Sequence, residues 1–533
     1  MQRLILIYFI VFIFANTYSF AQINNQAPIW GQWENWGDNR NGTYNNPILP
    51  ADYSDLDCIR VGTDYYAVSS TFQYSPGFAI LHSKDMVNWE IISHAVNDIT
   101  SISPEMNWDK MNRYGKGIWA GAIRYHDKKF WIYFGTPDEG YFMTTAEKPE
   151  GPWQPLHQVL AKKGWDDCSP FWDDDGQGYL VGTNFSDGYK IYLFKMTADG
   201  KELIEGSDKV IHQSEGSEAN KLYKINGIYY HFFSEVKSEG RTIMMERSKN
   251  IYGPYTEEKQ LSHAEKQFNE PNQGGMVQTQ NGDWYFLTHH GTGDWSGRIM
   301  SLLPVSWIDG WPIIGKVGQD KIGSMVWSGK KPINPGVVYE PQTSDEFNQF
   351  NLPPQWEWNY HPRAEKWSLK ERAGWLRLRA FKPIEANNLL KVGNTLTQRT
   401  YRTKANEVII KIDFSGIANG QKAGLSHFGA TAYTTLGIAC EGKVSHLELN
   451  IKGKITKGPV LNGQKIWLKS TWGLDGKSQF YYSMNGKKYI TFGKLYQMEW
   501  GSYRGDRIAI YNYNNLSDEG YIDVDYFHYT YSK

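Results

Sequence analysis

Apolar and polar residues alternate in short runs along most of this chain, and clusters of Gly, Asn and Asp separate the runs. Period-two alternation bounded by turn residues predicts β-strands, while the 3.6-residue period of amphipathic helices is nearly absent. One unit recurs: an acidic or Asn-Gly turn leading into an aromatic strand. It is seen at Gly62–Tyr66, His126–Trp131, Asp174–Tyr179, Ile225–Tyr230 and Gln280–Tyr285, with a spacing of about 50 residues after the first gap. Three copies are followed by a related strand and exit turn, ending at Trp89, Trp153 and Tyr255. Repeats of this length with four strands each are the mark of propeller blades. Five copies between roughly residues 40 and 330 predict five blades. A β-sandwich with chance internal similarity is the alternative.

The blade pattern stops at the Pro/Gly-rich stretch Gly329–Gly336, and residues 331–343 read as a linker. Residues 344–533 alternate again, for example at Glu407–Ile412, His446–Ile451 and Gly520–Phe527. They predict a second domain, a two-sheet β-sandwich. The expected architecture is therefore all-β: a five-bladed β-propeller over residues 22–330, then a β-sandwich.

Composition narrows the partners and the compartment. Lys and Arg total 56 against 57 Asp and Glu, a net charge of −1 without a basic stripe, which argues against a nucleic-acid partner. Aromatics reach 15 %, with 22 Trp and 35 Tyr, and such rings stack on the flat apolar faces of sugars. Residues 1–21 combine a charged start, an apolar run from Leu4 to Ala15 and a small-residue site before Gln22, the pattern of a signal peptide. A membrane anchor is the other reading, although the run is short for a bilayer span. No later run is long and apolar enough to span. The three cysteines, Cys58, Cys168 and Cys440, have neither metal-site nor disulfide-framework spacing and read as small buried residues.

In a propeller the innermost strands surround one axis, so polar residues at their starts converge. Three acids precede aromatic strands within otherwise apolar segments: Asp55, Asp167 and Glu218. Paired carboxylates in a pocket are the equipment of glycoside hydrolysis, one acting as base and one as acid. Spacing alone is weak support among 57 acidic residues, most of which sit in solvated turns, as Asp173–Asp175 is expected to.

The segments Asn46–Pro50, Ser54–Asp57, Arg60–Tyr66, Ser69–Phe72, Ser75–Gly77 and His82–Asp85 together resemble the opening of glycoside hydrolase family 43. The resemblance extends over nearly the whole mature chain. It implies an inverting mechanism in which Asp55 matches the general base, Asp167 the aspartate that tunes and orients the acid, and Glu218 the general acid. Inversion needs room for a water, so the Asp55 and Glu218 carboxyls are expected roughly 6.5–9.5 Å apart. Phe72 and Trp119 match aromatic walls of the sugar pocket, with core packing as the other reading. Arg298 matches an arginine reaching the sugar hydroxyls or the tuning carboxylate, with a structural ion pair as the other reading. Gln273 completes the substrate-binding set.

Departures from the family pattern are Leu56 after the base, the small residues in Trp119–Arg124, and Asn272 where a histidine is common; His289 or His290 stands in for it or is structural. No metal is expected in the pocket and no cofactor is required. The second domain resembles the concanavalin-A-like sandwich of β-xylosidase-type members, where it can close one side of the pocket. Ser344–Phe347 and Asp523–Asp525 either share a structural Ca²⁺ or are turn acids.

The resemblance implies an exo-acting hydrolase that releases terminal α-L-arabinofuranose from hemicellulose oligosaccharides of xyloglucan or arabinoxylan type, in a Gram-negative periplasm. The alternatives are a β-D-xylosidase or dual-activity enzyme, a non-catalytic carbohydrate-binding protein, and an endo-arabinanase. The sequence leaves the oligomeric state open.

Overall fold

A computed structural model of the chain describes residues 29–265, 271, 273–291 and 293–533. The leader read from residues 1–21 and the departure at Asn272 lie outside them. Five antiparallel sheets follow one another along the first part of the chain. Their first strands are Asp57–Val61, Gly121–His126, Trp165–Trp172, Glu218–Ile225 and Gly274–Gln278, each followed by three more strands in sequence order. The fifth sheet gains an extra strand, Leu49–Asp52, which pairs with Ile299–Ile308. All five repeat motifs fall on the turn from first to second strand. At Asn226-Gly227 both turn residues are left-handed (φ 52° and 76°), the type I′ geometry that suits a two-residue hairpin.

The first strands are stitched to one another by polar contacts. Arg124 donates to Asp57 Oδ2 and, 2.8 Å away, to Ser169 Oγ, joining the first, second and third sheets. Asn220 Nδ2 donates to Thr183 Oγ1 at 2.6 Å, and the Met276 amide donates to Tyr223 Oη at 3.1 Å. The fifth sheet returns to the first at Gly275, where a Cβ would lie 2.4 Å from the Cys58 nitrogen, so only glycine permits the approach. Cys58, Cys168 and Cys440 are buried free thiols.

The second domain contains two sheets. One runs Trp367–Ser368, Leu376–Arg379, Tyr521–Tyr531, Asn406–Asp413, Lys465–Trp472, Lys477–Ser483 and Ile490–Thr491. Val408, Ile410 and Ile412 are buried while Glu407, Ile409 and Lys411 between them are half-exposed, the alternation that sends every second side chain into the core. The other sheet includes Arg507–Asn514, Leu396–Arg399 and Glu357–Asn359, and it ends on Tyr74–Ser75 of the first part of the chain. The two parts therefore share one hydrogen-bonded ladder.

Beside that ladder lies a sealed ionic cluster. Arg504 and Arg507 are fully buried, and Arg399 is nearly so. Arg504 Nη2 is 3.0 Å from Asp52 Oδ2, while Arg399 and Arg507 each reach Glu357, at 2.9 and 3.0 Å. Burial opposes ionisation of Glu357, but Arg399 and Arg507 hold its carboxyl well below the usual range. Arg504 Nη1 also donates to the Ser70 carbonyl at 2.8 Å, and Arg399 Nε to the Asp52 carbonyl at 2.8 Å. Asp52 and Ser70 flank the segments carrying Asp55 and Phe72, so the second domain grips the backbone around both.

The carboxylates of the two segments considered for calcium are engaged elsewhere. Asp523 meets Arg372 and Arg377, Asp525 meets Lys411, and Glu346 meets His528. Asp345 accepts from Trp356 Nε1 and from the Phe347 amide.

Candidate active site

A cavity of about 590 Å³ opens where the first strands meet. Asp55, Asp167 and Glu218 line it, and so do Phe72, Trp119, Gln273 and Arg298. Residues scattered over more than 240 positions of sequence thus share one pocket.

Local backbone geometry explains how they reach it. Asp55, Phe72, Asp167 and Ala219 all adopt left-handed conformations, with φ of 55°, 56°, 51° and 66°. For a non-glycine residue this costs about 1–2 kcal/mol, and such strain clusters where a side chain must be aimed. In the third sheet the register slips between Asp166 and Ser169, and in the fourth between Glu218 and Lys221. A bulge re-aims the side chains beside it. Strict alternation would send Asp166 and Asp167 to opposite faces; with the bulge, both line the cavity.

Each expected acid has a specific partner. Arg298 Nη1 lies 2.6 Å from Asp55 Oδ1, and the Asp55 amide donates to His289 Nδ1 at 2.8 Å. Arg298 lines the cavity and makes an ion pair, the second of the two readings its sequence position offers; the partner is Asp55, because the Tyr53 amide donates to the Arg298 carbonyl at 2.7 Å and sets the two segments side by side. His289 is fully buried. Asp167 Oδ1 accepts from Gln273 Nε2 at 2.7 Å, and its own carbonyl accepts from Asn220 Nδ2 at 3.2 Å. Burial raises the Asp167 carboxyl above its ordinary value, while Lys221 and the Ala219 amide oppose the rise.

Glu218 Oε1 lies 3.1 Å from Arg241 Nη1. Its side chain is 32 % exposed, and it faces the cavity. Burial pushes its carboxyl up to about 7, against the pull of Arg241; Asp167 adds to the rise, Arg298 opposes it and Asp55 adds again. A carboxyl in that range is protonated in about half of the molecules at neutral pH and can give its proton away.

One wall is aromatic. Phe72 and Trp119 have ring centroids 6.4 Å apart, and Trp119 and Tyr503 6.5 Å apart. Tyr503 comes from the second domain, and the Arg298 guanidinium lies 5.0 Å from its ring centre. Phe72 is buried and its ring also faces the Arg504 guanidinium at 4.8 Å, so it packs the core and lines the pocket at once.

Sequence reading missed Asp166, Arg241 and Tyr503. Asp166 was hidden by the bulge. Arg241 sits just after the turn of a hairpin, ahead of the part of its strand that carries the repeated exit pattern. Tyr503 belongs to another domain, and nothing near it in sequence points to the pocket. Among the described residues, the group of donor atoms that could gather round a metal is His212, Glu246 and Glu258, apart from this pocket. There His212 Nδ1 and Glu246 Oε2 already pair at 3.1 Å, and Lys237 stands 3.8 Å from Glu258.

Comparison with known proteins fits this geometry. A family model described as Glycosyl hydrolases family 43 matches residues 44–312, and one described as Beta xylosidase C-terminal Concanavalin A-like domain matches residues 344–530. A protein of Formosa agariphila named beta-xylosidase is 34 % identical over 94 % of this chain and 92 % of its own length. A non-reducing end alpha-L-arabinofuranosidase of Bacteroides ovatus is 31 % identical over 63 % of this chain and 65 % of its own. Among solved structures, a bifunctional family 43 protein from Bacteroides eggerthii superposes with a TM-score of 0.81 at 30 % identity, over 92 % of this chain but only 64 % of that longer one. A family 43 protein from Bacillus licheniformis gives 0.80 at 26 % identity, over 92 % of this chain and all of that one. The chain belongs to glycoside hydrolase family 43, the glycosidases whose hydrolysis needs no cofactor, and it carries the concanavalin-A-like C-terminal domain of the β-xylosidase type.

Proposed function

We propose that this glycosidase is an inverting, exo-acting pentosidase, and that its five sheets are the blades of a five-bladed propeller. Asp55, ion-paired with Arg298, is the general base that takes a proton from the attacking water. Glu218 is the general acid that protonates the leaving oxygen, and Asp167 tunes and orients it. Phe72, Trp119, Gln273 and Arg298 hold the sugar. The observation that carries this reading is the contrast within one pocket: Asp55 tied to Arg298, and a Glu218 carboxyl raised to about 7 by burial. Two carboxyls with opposite duties are what single-displacement glycoside hydrolysis requires. Tyr503, standing over the pocket from the second domain, supports action on chain ends and counts against an endo-arabinanase.

A relative matched nearly end to end carries a β-xylosidase name, which supports release of terminal β-D-xylose from hemicellulose-derived oligosaccharides as one reading. Release of terminal α-L-arabinofuranose, the preference expected from sequence, is the second reading, supported by the Bacteroides ovatus relative. Hydrolysis of 4-nitrophenyl β-D-xylopyranoside and α-L-arabinofuranoside by wild type, Asp55→Asn and Glu218→Ala tests it, with proton NMR following the first-formed anomer. Turnover that both substitutions abolish, with an inverted product, is expected. Sugar binding without turnover of either glycoside would instead indicate a non-catalytic carbohydrate-binding protein. With the leader read from residues 1–21, the reaction is placed in the periplasm; N-terminal sequencing of the exported protein should begin at Gln22.

A further inference from the structure

Asp55 sits in a strained stretch of backbone, with φ at 55°, and it is buried, at 7 % exposure. A left-handed residue of this kind persists only where its surroundings over-determine it. Its amide must also find an acceptor, because a buried N–H is almost never left unpaired. Phe72, equally left-handed, meets that need with backbone: its amide donates to the Ile118 carbonyl at 3.0 Å. Asp55 meets it with a side chain, His289 Nδ1, at 2.8 Å.

That bond fixes the state of the ring. A backbone amide can only donate, so His289 Nδ1 accepts and carries no proton there. His289 is fully buried on the strand Trp284–His290, the second of the fifth sheet, where it pairs with Met300. Met300 in turn pairs with Leu49, on the strand that leads into Asp55. The ring is thus mounted on regular sheet, one strand away from the segment it grips. Its neighbour Thr288 donates through Oγ1 to the Gln273 carbonyl at 2.7 Å, and Gln273 donates to Asp167. Two consecutive residues of one strand therefore fix the surroundings of two of the pocket acids.

We propose that His289 is a positioning residue for hydrolysis: it holds the Asp55 amide, and with it the backbone conformation that aims the carboxylate at the attacking water. This rests on the reading of Asp55 as the general base. Arg298 fixes the carboxylate itself, at 2.6 Å, whereas His289 fixes the main chain behind it, so the two act at different points. Without an acceptor at residue 289 the amide is left unpaired in a buried bend, and the left-handed conformation loses one of the contacts that sustain it. The bend relaxes and the carboxylate swings out of line with the water. Two replacements separate the bond from the packing. Asparagine carries Oδ1 close to where histidine carries Nδ1 and can accept the amide, while phenylalanine fills the space of the ring with no acceptor.

The test is steady-state kinetics of the full chain as wild type, His289→Asn, His289→Phe and Asp55→Asn on the preferred 4-nitrophenyl pentoside, with thermal unfolding alongside. Misplacing a reacting group by about 1 Å can cost about 10²-fold in rate. His289→Phe should therefore lower kcat by about that factor and leave KM near that of wild type, since the walls that hold the sugar are untouched. His289→Asn should recover most of the lost kcat, even where it unfolds at a lower temperature than the phenylalanine variant. A role in core packing alone predicts the reverse order, with the larger apolar ring tolerated better than asparagine. A folded His289→Phe enzyme with wild-type kcat overturns the assignment. So does a folded His289→Asn enzyme whose kcat has dropped by about 10²-fold, a comparison that stands if the phenylalanine variant fails to fold. An Asp55→Asn enzyme with full turnover sinks the reading of Asp55 as base, a result distinct from an inactive Asp55→Asn enzyme beside a normal His289→Phe.

Discussion

Arg298 Nη1 stands 2.6 Å from Asp55 Oδ1, and the same arginine lies 5.0 Å from the ring centre of Tyr503. One side chain from the fifth sheet therefore touches both the proposed base and the wall supplied by the second domain. Replacing Arg298 by Ala frees Asp55 to rotate away from the attacking water. Misplacing a reacting group by about 1 Å can cost about 10²-fold in rate. Arg298→Ala should lower kcat/KM on the preferred pentoside by at least that factor, while circular dichroism stays that of wild type. Arg298→Lys restores charge but not the planar two-way contact, so it should recover only part of the loss.

Glu218 titrates at about 7, so kcat/KM should fall as pH rises through neutrality and its proton is lost. Asp167 raises that value and Arg241 lowers it. Asp167→Asn should therefore move the basic limb of the pH–rate profile down, and Arg241→Gln should move it up. Opposite movements would show that burial and charge have been assigned the wrong way round.

The same group carries a stability cost. The Glu218 carboxyl is raised from 4.5 to about 7, so between those values the folded chain binds more protons than the unfolded one. Stability then falls as pH rises through that window, and the loss persists above it. Glu218→Gln removes the charge, so it should stabilise the protein by about 1–3 kcal/mol at pH 8 and have little effect at pH 4. Chemical denaturation at the two pH values reads this directly, and a variant less stable at pH 8 would contradict it.

Arg504 is fully buried with its Nη2 3.0 Å from Asp52 Oδ2. Breaking a buried pair from one side leaves an uncompensated charge and costs about 3–5 kcal/mol. Arg504→Ala should lower the unfolding free energy by that order, with Asp52 left short of a partner. Asp52→Asn added to Arg504→Ala should recover part of it. Strict additivity of the two changes in a double-mutant cycle would count against a direct pairing.

Much of the first part of the chain was legible because each sheet begins with the same turn chemistry, Asn226-Gly227 being the clearest. The convergence of Asp55, Asp167 and Glu218 on one pocket was legible for a related reason: each precedes its sheet's aromatic strand at a similar distance. Asp166 was not, because alternation puts it and Asp167 on opposite faces, and only the register slip that follows Asp166 lets both line the cavity. Arg298 was legible as a pocket residue or an ion-pair partner, but Asp55 as its partner was not, since that pairing depends on a backbone bond between Tyr53 and Arg298. Tyr503 and Arg504 act across a domain boundary, and no local pattern encodes a contact made more than 430 residues away, as the bond from Arg504 to Ser70 is.

The strand Tyr74–Ser75 completes a sheet that otherwise belongs to the second domain, and it lies two residues from Phe72 in the pocket wall. Chimaeras made by joining one relative's catalytic half to another's C-terminal half will cut through that sheet. A recombination site at the linker looks neutral on paper but separates Glu357–Asn359 from the strand it was matched to. Exchanging pocket specificity by domain shuffling therefore calls for moving Tyr74–Ser75, Asp52, Tyr503, Arg504 and Arg507 together, as one transplant unit.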